Sequence, residues 1–307
     1  MSTSLRIAYG EALAEAAAKN DNIVVLDADL SHATMTNIFQ KSFPERFYNM
    51  GIAEGNLMLA AAGFAHTGLI PFVSTFAIFG AGRAYEQIRN SICYTNANVK
   101  LALTHAGLSV GEDGGSHQAI EDIALMRVLP NMTILVPCDP IETKKCIKAA
   151  VEIDGPVYIR IARPVCNNIT TEDTPFVPGK ANVLLEGEDV CIITAGLMTP
   201  IALDAAKILN NQNISTSVVN MHTIKPLDKD IVLAMAKKCK AIVTVEEHSV
   251  IGGLGSAVAE VLAGTGDTKF AMVGIQDKFG KSGDPAGLFE EYGLTKENVA
   301  RTCKSLL

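Results

Sequence analysis

Short β-branched apolar runs alternate with helical patterns along almost the whole chain. The runs at 23–27, 99–104, 133–136, 157–162, 190–194, 217–221, 241–246 and 270–275 read as strands. The stretches 5–19, 54–65, 83–93, 140–152, 200–209 and 255–263 read as helices. Asp139 followed by Pro140, with Glu142 in the first turn, marks one helix start. The strand candidates are continuously apolar, as expected for parallel strands covered by helices on both faces. The alternation breaks once, between about 166 and 188, where Asn167, Asn168, Pro175, Pro178 and Gly179 cluster. The pattern predicts an α/β protein of two doubly wound domains, 1–170 and 186–307, joined by a linker at 171–185.

Composition narrows the class. The 307 residues suffice for two proper cores, and 48% hydrophobic with 19% charged residues suits a soluble α/β protein. Net charge is −7 and neither half is basic, which argues against nucleic acid as a partner. No signal peptide opens the chain, and no apolar run approaches the roughly 20 residues of a membrane span. The seven cysteines are odd in number and scattered, with no Cys-x-x-Cys pair. They read as buried free thiols in a reducing cytoplasm, with no metal site in this chain.

Four stretches could carry chemistry. In Asn49-Met50-Gly51-Ile52-Ala53-Glu54-Gly55-Asn56 a carboxylate sits between an apolar run and an Ala-rich helix. Shielded there, Glu54 either shares a proton with a partner or serves the helix dipole from the first turn. Phe76 and Phe79, three apart, share a face of a helix or turn; they are core, or they stack on a flat heterocycle. The Gly-rich stretch 104–118 follows a strand and carries His105, Glu112, Asp113 and His117. It suits acid/base work, or hydrogen bonding to a hydroxylated substrate, or a turn in which Asp113 and Ser116 cap backbone groups. Arg6 opens the first helix and Arg163 ends a strand; either could grip a phosphate or form a surface ion pair. Glu246 to Ser256 reads as a turn and helix entry rather than a nucleotide loop, because the first-strand context is missing.

The order of these stretches resembles the C-terminal half of transketolase, closest to the stand-alone C-terminal subunit of split transketolases. The resemblance covers nearly the entire chain. It runs from Arg6 through Asp27-Ala28-Asp29-Leu30, the Glu54, Phe76/Phe79 and Asp113–His117 stretches and Arg163, to Met221-His222-Thr223-Ile224-Lys225-Pro226 and 246–256. It implies a pyrimidine-binding domain followed by the transketolase C-terminal domain, with thiamine diphosphate as cofactor. Glu54 would contact the aminopyrimidine and promote its imino tautomer, and the cofactor would serve as electron sink for a two-carbon carbanion. Phe76 and Phe79 would stack on the pyrimidine, and Asp29 would lie near the cofactor. His105 and His117 would join Glu54 in catalysis, His117 and Asp113 would touch sugar hydroxyls, and Arg6 and Arg163 would hold the sugar phosphate. The implied reaction is reversible transfer of a two-carbon ketol unit between ketose and aldose phosphates, as in the pentose phosphate pathway.

Three positions depart from the family: Gly55 where many subunits have Gln, Gly82 where long transketolases have a tyrosine, and Ala33 near a phosphate-binding serine, with Thr34 as a possible substitute. The Gly-Asp-Gly motif by which such enzymes hold the diphosphate and Mg²⁺ does not occur in the sequence. The expectation is therefore a separate N-terminal subunit that binds the diphosphate and most of the Mg²⁺, in a heterotetramer with two copies of each chain. The alternatives are the beta subunit of a 2-oxo acid dehydrogenase, a specialised split transketolase acting on an unusual sugar, and a silent partner of a true enzyme.

Overall fold

The computed structural model describes residues 2–266 and 268–307. Six parallel strands build the first sheet: β1 (Ile23–Asp27), β2 (Phe47–Asn49), β3 (Ile70–Ser74), β4 (Lys100–Thr104), β5 (Thr133–Leu135) and β6 (Val157–Ile161), in the order β5-β6-β4-β3-β1-β2. A second sheet contains β7 (Asn182–Leu185), β8 (Val190–Thr194), β9 (Thr216–Asn220), β11 (Ala241–Ser249) and β12 (Lys269–Ile275), in the order β12-β11-β8-β9-β7. Its strands are parallel except β7, which runs against β9. The strand between β9 and β11, β10 (Thr223–Lys225), leaves its own domain and pairs antiparallel with β5. It covers what would be an open edge of the first sheet, and Val136 N donates to His222 O at 2.8 Å beside it.

Burial explains the apolar runs. All five residues of β1, β4, β6, β8 and β9 are buried. Each Val, Leu or Ile so placed contributes about 1.5–3 kcal/mol relative to exposure. One apolar cluster spans both sheets, joining Ile134 and Val136 to Ile193, Val219 and Met221. All seven cysteines are free thiols, six of them buried. No helix among the described residues is long and apolar enough to cross a membrane.

The departures from the sequence reading have local causes. β3 was hidden by Pro71, which cannot donate to a ladder. Ile70 N donates toward β1, to Asn22 O, so the next residue along faces β4, where pairing begins only at Phe72; the missing donor costs little. β2 and β10 are three residues long, too short to make a pattern. Residues 83–93 are not one α-helix: wide turns at Ile78–Arg83 and Ile88–Cys93 flank Tyr85–Gln87. Within 171–185, β7 is an edge strand of the second sheet, and Lys145 Nζ holds the carbonyls of Thr171, Glu172 and Thr174. The helix Pro140–Glu152 starts as the sequence predicts, with Asp139 Oδ1 accepting from Glu142 N at 2.7 Å.

Candidate functional site

The strands β6, β4, β3, β1 and β2 are neighbours, and the chain leaving their carboxyl ends carries, in turn, Arg163, His105, Phe76, Asp29 and Glu54. With strands about 4.8 Å apart these residues share one rim, the edge where open parallel sheets bind ligands.

Four rings form the centre. Phe76 and Phe79 stack with centroids 5.9 Å apart and planes 14° apart. His105 stacks on Phe76 at 3.9 Å, and His117 meets Phe79 edge-on at 5.3 Å. His105 has φ +59°, an uncommon left-handed conformation of the kind found at functional sites. Its Nδ1 lies 2.8 Å from Thr104 Oγ1. Burial, then the charges of Arg6, Arg163 and His117, push its pKa down to about 3. At neutral pH the ring is therefore uncharged, suited to hydrogen bonding rather than to carrying a proton.

Glu54 is the first residue of the helix Glu54–His66 and is 2% exposed. Its Oε2 accepts from Arg83 Nη1 at 2.8 Å, and the Arg83 guanidinium lies over the Phe79 ring, 4.6 Å from the centroid. Arg83 was not singled out in the sequence. The signal was available in its spacing, four residues past Phe79, which stacks side chains on consecutive turns of a winding segment. Its side chain is 53% exposed. A buried carboxylate beside stacked aromatic rings has the donor set for a flat heterocycle with a ring nitrogen.

Two arginines lie close enough for their charges to act on His105. Ser4 caps the helix Leu5–Ala17, accepting from Arg6 N at 3.2 Å, and so sets Arg6 at the positive end of that helix. Arg6 Nη1 donates to Ala33 O at 2.6 Å, while its buried Nε has no partner. Burial and the nearby charge of Arg163 lower its pKa. A cation beside another cation at a helix N-terminus is relieved by an anion. Arg163 Nη1 donates to Val110 O and approaches Asp113 at 3.6 Å and Glu112 at 3.9 Å. Asp113, expected to face substrate hydroxyls, is thus part of an ion pair here.

Asp29 has φ +63° and accepts from Asn49 Nδ2 at 2.8 Å. Thr34 does not substitute for a phosphate-binding serine: its hydroxyl donates to the buried Asp27 carboxylate at 2.7 Å. A Cβ added at Gly55 would lie in ordinary contact with the Gln87 side chain, 3.6 Å away, so Gln87 sits beside the position that follows the acid.

Between the domains lies a second buried polar group. Arg160 grips Asp122 through Nε at 2.7 Å and Nη2 at 3.2 Å, and Tyr158 donates to the same carboxylate. Glu246 accepts from Leu254 N and Gly255 N at 2.7 and 2.8 Å, the helix-entry role read from the sequence. Glu247 Oε1 accepts from Ser109 N at 2.6 Å. Burial raises the pKa values of both glutamates to about 7. A carboxyl whose folded pKa is raised favours folding below its unfolded pKa, near 4.5, and loses that advantage as pH rises to about 7. Glu247→Gln does not ionise, so its thermal midpoint should gain on that of the wild type from pH 4.5 to 7 and level off above. A constant offset across that range, measured by calorimetry, would contradict this.

Comparison with known proteins agrees with the geometry. The transketolase pyrimidine-binding domain matches residues 1–167 and the transketolase C-terminal domain matches 179–299. A putative transketolase C-terminal section of Methanocaldococcus jannaschii is 49% identical over 301 residues, 97% of this chain and 94% of that protein. A 6-deoxy-6-sulfo-D-fructose transketolase subunit of a Clostridium species is 41% identical, covering 97% of this chain and 92% of that one. The solved structure of a split-gene transketolase, an inactive β4 tetramer, superposes with TM-score 0.92 at 51% identity, covering 100% of this chain and 99% of its own. The family uses thiamine diphosphate, and none of these relatives favours a 2-oxo acid dehydrogenase. The chain belongs to the transketolase family, as a subunit made of its pyrimidine-binding and C-terminal domains.

Proposed function

We propose that this chain is the cofactor-ring and substrate half of a two-chain transketolase. It transfers a two-carbon ketol unit reversibly between a ketose and an aldose that carry a terminal oxyanion. The observation that carries this reading is Glu54, buried at a helix start beside the Phe76/Phe79 stack. Thiamine diphosphate, when bound, supplies a centre that stabilises the two-carbon carbanion. Glu54 would hold the ring nitrogen of its aminopyrimidine, and Phe76 and Phe79 would flank the ring. His105, neutral, and His117 would hydrogen-bond the reacting hydroxyl and carbonyl oxygens. Arg6, with Arg163, would hold the terminal phosphate or sulfonate, both of which are compact oxyanions suited to guanidinium donors.

The diphosphate and Mg²⁺ would be held mainly by a separate N-terminal subunit, two copies of each chain forming a heterotetramer in the cytoplasm. The relative solved as a β4 tetramer is described as inactive, and the archaeal relative is a C-terminal section; both support a missing partner. The test is co-expression with an N-terminal transketolase subunit and assay with ribose 5-phosphate as acceptor. Xylulose 5-phosphate and 6-deoxy-6-sulfofructose serve as alternative donors. Ketol transfer dependent on thiamine diphosphate and Mg²⁺ is expected from at least one donor. Turnover of a 2-oxo acid instead would overturn the reading.

A further inference from the structure

The loop that presents Asp113 and His117 is anchored to the second domain at several points. Glu247 on β11 is 3% exposed, and its Oε1 crosses the boundary to accept Ser109 N at 2.6 Å. Gly107, at φ +84°, lets the loop pass: an added Cβ would lie 2.3 Å from that same oxygen. At the far end of the loop Gln118, 2% exposed, donates its amide to Leu108 O and Gly111 O at 3.3 Å, and to Lys281 O of the second domain at 2.9 Å. Ser282 Oγ donates to Glu112 O at 2.6 Å. Gly280 packs so tightly that a Cβ on Gly115 would lie 2.6 Å from its carbonyl oxygen. The Glu54–Arg83 pair, by contrast, lies wholly within the first domain.

We propose that Glu247, together with residues 280–282, is a positioning device by which the second domain fixes the substrate loop and sets affinity for the sugar rather than for the cofactor. This rests on the transferase reading above. Glu247 touches neither reactant; it acts through the Ser109 amide, two residues past Gly107 and four before Asp113. Its Oε1 accepts from that amide at 2.6 Å, in line with the contacts that Lys281 and Ser282 make to the same loop.

The test uses the complex with the N-terminal subunit. Glu247→Ala should raise KM for the aldose acceptor about tenfold, the scale of leaving one buried donor without its partner. The change in kcat should stay within about threefold, and thiamine diphosphate affinity by calorimetry should not move. Glu247→Gln keeps an oxygen acceptor and should restore KM to near the wild-type value. Gly280→Ala, whose Cβ would meet Gln118 Oε1 at 1.8 Å, strains the clasp from its other side and should give the same split between KM and kcat. Hydrogen exchange at the Ser109 amide, read on the chain without substrate, should speed up in Glu247→Ala. An unchanged KM in both variants, or a loss of cofactor affinity matching the rise in KM, would overturn the proposal. So would a Ser109 amide that stays protected in Glu247→Ala. A wild-type complex with no sugar turnover would instead sink the transferase reading and leave the exchange result standing.

Discussion

Glu54→Gln, assayed with the N-terminal subunit present, is expected to lower turnover by about 10²–10⁴-fold, the range for a group that moves or holds a proton in the chemical step. The substitution keeps shape and one acceptor oxygen, and Arg83 Nη1 can still donate to it at its 2.8 Å position. Folding and subunit assembly should therefore survive, as checked by thermal midpoint and light scattering. The amide cannot present a carboxylate to a ring nitrogen, so the loss should fall on kcat with little change in KM. Wild-type turnover in this variant would remove Glu54 from the chemistry, and a variant that no longer assembled would mean the residue serves structure.

Arg6→Ala should give the second largest effect, on substrates rather than on the chemical step. Arg6 has an unpartnered buried Nε, sits at a helix N-terminus and faces the charge of Arg163. Losing one charge-assisted contact of about 1.5–3 kcal/mol corresponds to a fall in kcat/KM of roughly 10- to 150-fold for an acceptor with a terminal phosphate. The unphosphorylated aldose should change by less than about threefold. Arg163→Ala should show the same preference but more weakly, because Arg163 is already engaged by Val110 O, Glu112 and Asp113. Equal losses on both acceptors in Arg6→Ala would refute the oxyanion grip.

Much of the fold was legible because the parallel strands bury both faces. β1 and β8 coincide with the apolar runs read from the sequence, β4, β5, β6 and β12 differ by a residue at one end, and β9 is shifted by one residue. Legibility failed where the deciding contact is distant. Nothing near Thr223–Lys225 in sequence says that it will pair with β5, because the edge it covers belongs to the other domain. Pro71 concealed β3 because its harmlessness depends on where the neighbouring strand begins.

The site follows the same division. The 3.6-residue period placed Phe76 and Phe79 on one face, and they do stack. His105, His117, Arg6 and Arg163 come together around them because strand ends converge on one rim. Arg83 was missed although its spacing was readable, and Glu247 was missed because it reaches the loop from 138 residues away. Asp113, on a Gly-rich loop, and Asp29, through the family resemblance, were expected at the site; in the structure Arg163 approaches the first and Asn49 donates to the second.

The central claim is that this chain carries one side of a cofactor site whose other side lies on a different polypeptide. The most direct measurement is a calorimetric titration of thiamine diphosphate, with Mg²⁺ in excess, into the purified chain alone and into its complex with the N-terminal subunit. The account predicts tight, stoichiometric binding to the complex and none detectable to the chain by itself. Equal affinity and stoichiometry in both titrations would contradict it.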